Sequence, residues 1–382
     1  MKTKLSILSI SILLIMSGAA IAPALGNISE TFNNSTDLFI KMILTISSLM
    51  IIPSSIISGK LTGKIKKRSL LIVGVSIYII GGLGGGFAKN IYVLFLFRAL
   101  LGIGVGLILP LSTGLIIDFF KGAERNKMMG YAMAVNNLGA VIAIISAGVL
   151  TSINWRFSFG VYGIAFFTLF MIIFNLPEHQ KHEAKKYNKI SPLNKNIYLL
   201  MLLIGIVNIV FYSVPTNISI IIKNMQLGDA RISGIIISTL NLTSFVIGIF
   251  FHTFSNYFKK YTLTFSLTTM FIGFLLLTIS NSIIKIVFSL IFIGIGLGII
   301  LPLIFVTTGK YTSHKNSTFA MALVNSSMYF GQFLSPLSIN FTAKCLNNNL
   351  IKFPFIFSFI LIGILLSITL FKLSKNKISI FE

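Results

Sequence analysis

Charge is what this sequence has least of. Only 10% of its 382 residues are Asp, Glu, Lys or Arg, whereas a water-soluble domain carries about 25%, so an ordinary hydrated surface is excluded. Acids are scarcer still, eight against 31 Lys and Arg, for a formal net charge of +23. A single cysteine, Cys345, rules out an internal disulfide and offers no metal-site spacing. The four histidines are His179, His182, His252 and His314, and the one i,i+3 pair, His179 with His182, lies in a hydrophilic stretch as solvated side chains. No G-x-x-x-x-G-K-[ST] loop is present: Gly59 to Lys64 comes nearest, with a shortened spacing and Ile65 where Ser or Thr is required. The run Gly81-Gly82-Leu83-Gly84-Gly85-Gly86 sits inside an apolar stretch with no strand before it. Taken together, these absences call for no catalytic residue, no cofactor and no metal. ATP-driven work would need a nucleotide domain on a separate subunit.

Apolar runs fill the space that charge leaves. Each approaches the ~20 residues a helix needs to cross a bilayer. They predict twelve spans, at 5–26, 38–58, 69–88, 91–117, 127–150, 157–176, 197–222, 232–254, 262–280, 283–307, 318–341 and 353–373. The runs are continuous rather than alternating, which selects helices over barrel strands, because each segment must satisfy its own backbone in lipid. The fold class expected is therefore an all-α membrane protein. The start, Lys2 and Lys4 before an apolar stretch ending Ala20-Ile21-Ala22, also has the form of a signal peptide. It has a counterpart later in the chain, and we take it as the first span.

The distribution of the positive charge sets an orientation. With the N-terminus inside, the cytoplasmic segments hold 22 of the 31 Lys and Arg, the outer segments hold 8, and Arg98 lies within a span. By the positive-inside rule both termini are expected in the cytoplasm of a plasma membrane. Nucleic-acid binding is not expected, since no basic folded surface with base-stacking aromatics is on offer.

The chain also repeats itself. Gly102-Ile-Gly-Val-Gly-Leu-Ile-Leu-Pro-Leu111 in span four matches Gly294-Ile-Gly-Leu-Gly-Ile-Ile-Leu-Pro-Leu303 in span ten, an offset of 192. At the same offset Pro23 meets Pro215, and Gly139 meets Gly331. Between the copies lies the longest hydrophilic stretch, from Pro177-Glu178 through a Lys-rich run to Ser191-Pro192. We expect two like six-helix bundles, 1–176 and 197–382, joined by a cytoplasmic linker at 177–196. Parallel repeats of this kind place a substrate site near mid-membrane at the repeat interface; the alternative is a duplicated bundle with no open site.

At this point the residues resemble the major facilitator superfamily, and within it the twelve-helix drug:proton antiporter branch. The resemblance covers essentially the whole chain. The loop Gly59-Lys60-Leu61-Thr62-Gly63-Lys64-Ile65-Lys66-Lys67-Arg68 is similar to the family signature G-x-L-[AS]-D-[RK]-x-G-[RK]-[RK]. Gly59, Leu61, Lys64, Lys67 and Arg68 fit, but Gly63 stands where the family has an aspartate and Lys66 where it has glycine. That aspartate normally helps latch the cytoplasmic gate. Asp118, at the end of span four, is the expected substitute, pairing with Lys64 or Arg68. Arg98 followed by Gly102 resembles the family's R-x-x-x-G motif, whose arginine is implicated in proton coupling. Gly130, Gly139 and Gly148 fit the antiporter motif G-x8-G-x3-G-P-x2-G-G in span five, while Ala143, Ile144 and Ala147 depart from it.

Polar residues inside the spans are the candidate site. An arginine at helix centre costs at least ~2.5–3.5 kcal/mol on insertion scales, so Arg98 should face an interior, the alternative being snorkelling to the outer interface. In span eleven Asn325, Tyr329, Gln332 and Pro336 lie at i, i+4, i+7 and i+11, one helical face. That face either lines a cavity or hydrogen-bonds a neighbouring helix. Span eight has a similar line, Gly234, Ser238, Asn241, Gly248 and His252. Span five carries a small-residue face of Ala132, Asn136, Gly139, Ala143 and Ala147, which Asn137 cannot share. Asn208 and Tyr212, four apart in span seven, complete the set. The acids are Glu30, Asp37, Asp118, Glu124, Glu178, Glu183, Asp229 and Glu382, and none sits centrally in a span.

The resemblance implies a secondary transporter working as a monomer by alternating access, most simply exporting small hydrophobic compounds in exchange for protons. Uptake or facilitated diffusion of a metabolite such as a sugar or organic anion is the alternative, and a non-transporting membrane receptor a more remote one.

Overall fold

The computed structural model describes residues 2–62, 64–177, 194–312, 317–348 and 350–374. Among them the regular structure is helical throughout, as lipid requires of chains that must hydrogen-bond their own backbone. The first part comprises α1 (Lys2–Ala19), α2 (Leu25–Thr31), α3 (Asp37–Leu61), α4 (Lys67–Gly84), α5 (Ile91–Phe119), α6 (Gly122–Ile153) and α7 (Ile164–Asn175). The second comprises α8 (Lys195–Asn224), α9 (Ala230–Ile249), α10 (Phe251–Phe258), α11 (Thr262–Ile279), α12 (Ile283–Lys310), α13 (Ser317–Cys345) and α14 (Phe353–Ser374). The chain divides into two compact units, 1–187 with 228–235, and 188–227 with 236–382. Of the expected linker, 178–193 lie outside the described residues, with His179 and His182; His314 lies outside them too.

Among the described residues, eleven helical segments are long and apolar enough to cross a membrane. The twelfth expected span corresponds to α13, which has the length, 29 residues, but carries Asn325, Ser326, Ser327, Gln332, Ser335 and Ser338 and so falls behind the others in hydropathy.

Three boundaries differ from expectation. The first span does not stop at 26: α1 ends at Ala19, a 3-10 turn with Pro23 follows, and α2 continues to Thr31. Span six opens with a nine-residue 3-10 helix, Trp155–Gly163, before α7. Span eight ends at Ile249, with Phe250 outside both helices, so His252 belongs to α10, where its ring lies 3.1 Å from Asn256 Nδ2. It cannot extend the line of Ser238 and Asn241. Lys259 then turns the chain at φ +46° into α11.

The glycine repeat is a packing device. On α5 a Cβ on Gly102 would come within 2.3 Å of the Ser47 carbonyl oxygen, and one on Gly106 within 2.6 Å of Ser54 Cβ, both on α3. Gly104, between them, faces the other way, where an added Cβ would stand 2.6 Å from the Tyr78 amide of α4. The second unit repeats the arrangement: a Cβ on Gly294 or Gly298 would meet carbonyls of α9 at 2.8 and 2.6 Å, and one on Gly296 that of Ser266 on α11 at 2.6 Å. Each central helix is therefore clasped on two faces by backbones that only small residues admit. At the end of α4, Gly82 and Gly85 likewise make room for Tyr162 and Phe159 of the 3-10 segment.

Candidate transport site

Arg98 is buried completely, at 0% exposure, which excludes snorkelling. Its Nε donates to the Ile43 carbonyl at 3.0 Å, one terminal nitrogen to the Tyr162 hydroxyl at 2.7 Å, and the other to the Ser17 carbonyl at 2.7 Å. Tyr162 donates to the same Ser17 oxygen at 3.1 Å, and Ser47 Oγ donates to the Arg98 carbonyl at 2.7 Å. The acceptor on α1 has a physical origin. Ser17 sits in the last turn before Ala19, where helix carbonyls lose their intrahelical partners and carry partial negative charge. Arg98 thus ties together α1, α3 and the 3-10 segment, inside the first unit and through neutral oxygens alone. In the same unit the hydroxyls of Thr45 and Tyr78 are buried without a hydrogen-bond partner, the Tyr78 ring lying edge-on to Tyr162.

On α6, Asn137 spends its amide on the Met133 carbonyl of its own helix at 2.9 Å, while Asn136 Oδ1 is buried and unpartnered. The two occupy different faces, as their spacing demands. Gly148 lies against Ala230 and Gly234, in the 228–235 segment that groups with this unit.

In the second unit Asn208 and Gln332 are both buried and bond to each other, Gln332 Nε2 donating to Asn208 Oδ1 at 3.3 Å. They belong to a longer seam. Ser327 Oγ donates to the Met201 carbonyl and Ser335 Oγ to that of Ile209, each at 2.6 Å. Midway between them, Gly331 is so close to α8 that a Cβ would stand 2.3 Å from the Gly205 oxygen. The pairs advance together, so α8 and α13 run parallel. Sequence reasoning missed this seam, although its signal was available: Ser, Gly and Ser four residues apart on α13. Asn241, half-buried, donates to the Ile237 carbonyl at 3.1 Å. Asn325, Tyr329 and Tyr212 are also half-buried, with the Tyr212 ring edge-on to Phe211 at 5.4 Å.

The pairing expected at a cytoplasmic gate differs in one respect. Asp118 does pair across helices, but with Lys67, at 2.5 Å, not with Lys64 or Arg68. Lys67 is the first residue of α4 and points along the end of α5; Arg68 instead donates to the Ile173 carbonyl, and Lys64 is exposed. Gly59 has open space around its Cα, and Gly63 lies outside the described residues. The Asp118 side chain is 10% exposed, so the pair is a charge-assisted bond in a half-dry setting, of about 1.5–3 kcal/mol. Asp118→Asn should lower stability by that order and slow transport several-fold. The swap Lys67→Asp with Asp118→Lys should recover part of both, as read by thermal unfolding and flux. Single variants indistinguishable from the parent would show the pair to be idle.

Two like units of long helices, each built on the same clasped glycine helix, narrow the architecture sharply. A family model for the Major Facilitator Superfamily matches residues 7–336 and again 225–378. The chain belongs to the major facilitator superfamily. This facilitator protein is 30% identical over 175 residues to Multidrug resistance protein 3 of Bacillus subtilis (strain 168), a match covering 45% of this chain and 33% of the relative. It thus spans a third of that relative's length. With the quinolone resistance protein NorA of Staphylococcus aureus the identity is 24% over 295 residues, 73% of this chain and 74% of NorA. Among solved structures, the occupied, inward-facing bacterial homolog of the human lysosomal transporter Spinster superposes with a TM-score of 0.80 at 13% identity, over 96% of this chain and 95% of that one. The xylose transporter XylE from E. coli gives a TM-score of 0.74, also at 13% identity, over 97% and 94%. At such identities the structural likeness speaks for the fold alone.

Proposed function

We propose that this major facilitator protein exports small hydrophobic compounds across a bacterial-type plasma membrane in exchange for protons, as a monomer working by alternating access. The observation that carries the reading is the match with NorA over nearly three quarters of both chains. The apolar composition and the half-buried amides of Asn136, Asn241 and Asn325 support it, since such surfaces suit ligands that are mostly apolar with a few polar groups. The gate at Lys67 and Asp118 and the buried Arg98 are the parts assigned to the cycle itself.

The test is flux in inside-out vesicles. Acidifying the lumen should drive uptake of a neutral hydrophobic dye several-fold above the rate without a gradient, and a protonophore should remove the gain. Flux that ignores the gradient would replace this reading with facilitated diffusion, and flux in the opposite direction with uptake. Orientation is checked separately. Reporters fused at Ala184 and after Lys375 should fluoresce without periplasmic phosphatase activity, with the opposite pattern near Lys89 and Asn348. An active phosphatase at Ala184 would invert the topology.

A further inference from the structure

The membrane-spanning part of this protein is electrostatically one-sided. Among the described residues Arg98 is the one charged side chain that is buried, and its hydrogen bonds to Ile43, Tyr162 and Ser17 all end on neutral oxygens. Among the described residues the carboxylates sit at or next to helix ends. Asp37 opens α3 and pairs with Lys41 at 3.1 Å; Asp118 closes α5 on Lys67 at 2.5 Å. Glu124, in the first turn of α6, pairs with Lys4 at 2.6 Å, and Asp229, just before α9, lies 3.9 Å from Arg231. Glu30 is exposed at the end of α2, and Glu178, Glu183 and Glu382 fall outside the apolar runs.

We propose that the transport path selects against cations: its substrates are uncharged or anionic amphiphiles, and permanent organic cations are carried poorly. This rests on the efflux reading above and names its substrate class. A cation leaving water for the membrane interior gives up hydration, and only an opposing charge compensates. Here the interior supplies none and adds a fixed positive charge instead, weakly screened because it is dry. At a separation of about 10 Å and an effective dielectric of about 20, one such charge changes occupancy by a unit ion about 15-fold. Neutral and acidic groups escape that penalty, and the amides of Asn136, Asn241 and Asn325 can donate to them.

The experiment uses the purified full-length protein in liposomes and three fluorescent probes. N-phenyl-1-naphthylamine is uncharged, 1-anilinonaphthalene-8-sulfonate is the same scaffold with an anionic group, and ethidium is a permanent cation. The uncharged or anionic probe should be carried at least about tenfold faster than ethidium, in line with the Coulomb figure above. Asn325→Asp or Asn241→Asp, each placing a carboxylate in a span, should raise ethidium flux and lower that of the sulfonate. Ethidium carried by the unaltered protein as fast as the neutral probe would overturn the proposal. So would an unchanged ratio in both aspartate variants, provided they insert normally. Binding to protein in nanodiscs, measured against empty nanodiscs, separates the two readings. Weaker binding of ethidium than of the other probes, with no flux of any, would sink efflux and leave the charge selection standing. Equal or tighter binding of ethidium would overturn it.

Discussion

Replacing Arg98 by alanine is expected to lower transport by about 100-fold or more, equivalent to about 2.7 kcal/mol, while protein still reaches the membrane. The guanidinium holds Ser17, Ile43 and Tyr162 at once. Hydrogen bonds from a charged donor contribute about 1.5–3 kcal/mol each, but the desolvation of an unneutralised buried charge offsets much of that sum. The fold should therefore survive better than the function does. Arg98→Lys keeps the charge but not the planar fork and cannot reach three acceptors on three elements together, so recovery should be partial. Arg98→Met keeps length without charge and separates packing from electrostatics. Near-normal flux from a well-inserted Arg98→Ala protein would reduce the residue to an inert filler.

Gly331→Ala should destabilise the second unit severely, whereas Gly139→Ala, its counterpart at the offset of 192, should be nearly neutral. The added methyl at 331 meets the Gly205 carbonyl oxygen at 2.3 Å, and a backbone atom has no rotamer by which to retreat. Forcing α13 from α8 also stretches the flanking bonds from Ser327 and Ser335. Overpacking of a fixed core costs about 1–3 kcal/mol, and this case belongs at or beyond the upper end. At Gly139 the nearest atom is Ile12 Cγ2 at 3.1 Å, the tip of a side chain that can shift by a few tenths of an ångström. Thermal unfolding in detergent would show the contrast directly. Equal losses at both positions would mean that the two halves are packed alike after all.

These two sites also show which features were legible in the sequence. Span number and the tandem plan were readable because each rests on length or spacing, which persist in any helix. The interior position of Arg98 followed from its burial cost. Its partners did not, because two of the three are main-chain carbonyls, which leave no trace in side-chain identity. Asn208 and Gln332 were recognised as polar positions on helical faces, but spacing within one helix cannot say which neighbour faces it. Lys67 was passed over for Lys64 and Arg68 because neighbouring basic residues look alike in sequence, and only the start of α4 at Lys67 decides which of them faces Asp118. The break at Phe250 follows Gly248, but a lone glycine in an apolar run is common in membrane helices and does not by itself announce a break.

The 3-10 segment at Trp155–Gly163 has a consequence for reach. A 3-10 helix rises about 2.0 Å per residue against about 1.5 Å for an α-helix. Its nine residues and the 12 of α7 therefore extend roughly 36 Å, some 4–5 Å more than the same stretch wound as α. That is ample for a hydrocarbon core of about 30 Å, from one of the shortest spans in the chain. Tighter winding also sets direction. With about three residues per turn, Arg156, Phe159 and Tyr162 stack along one line, from the Arg156 bond to the Ala88 carbonyl down to the Tyr162 bond with Arg98. Wound as α, six residues would leave Tyr162 roughly a third of a turn out of line with Arg156, and the hydroxyl would no longer meet the guanidinium. The length of this span and the aim of its tyrosine are one adjustment of helical pitch.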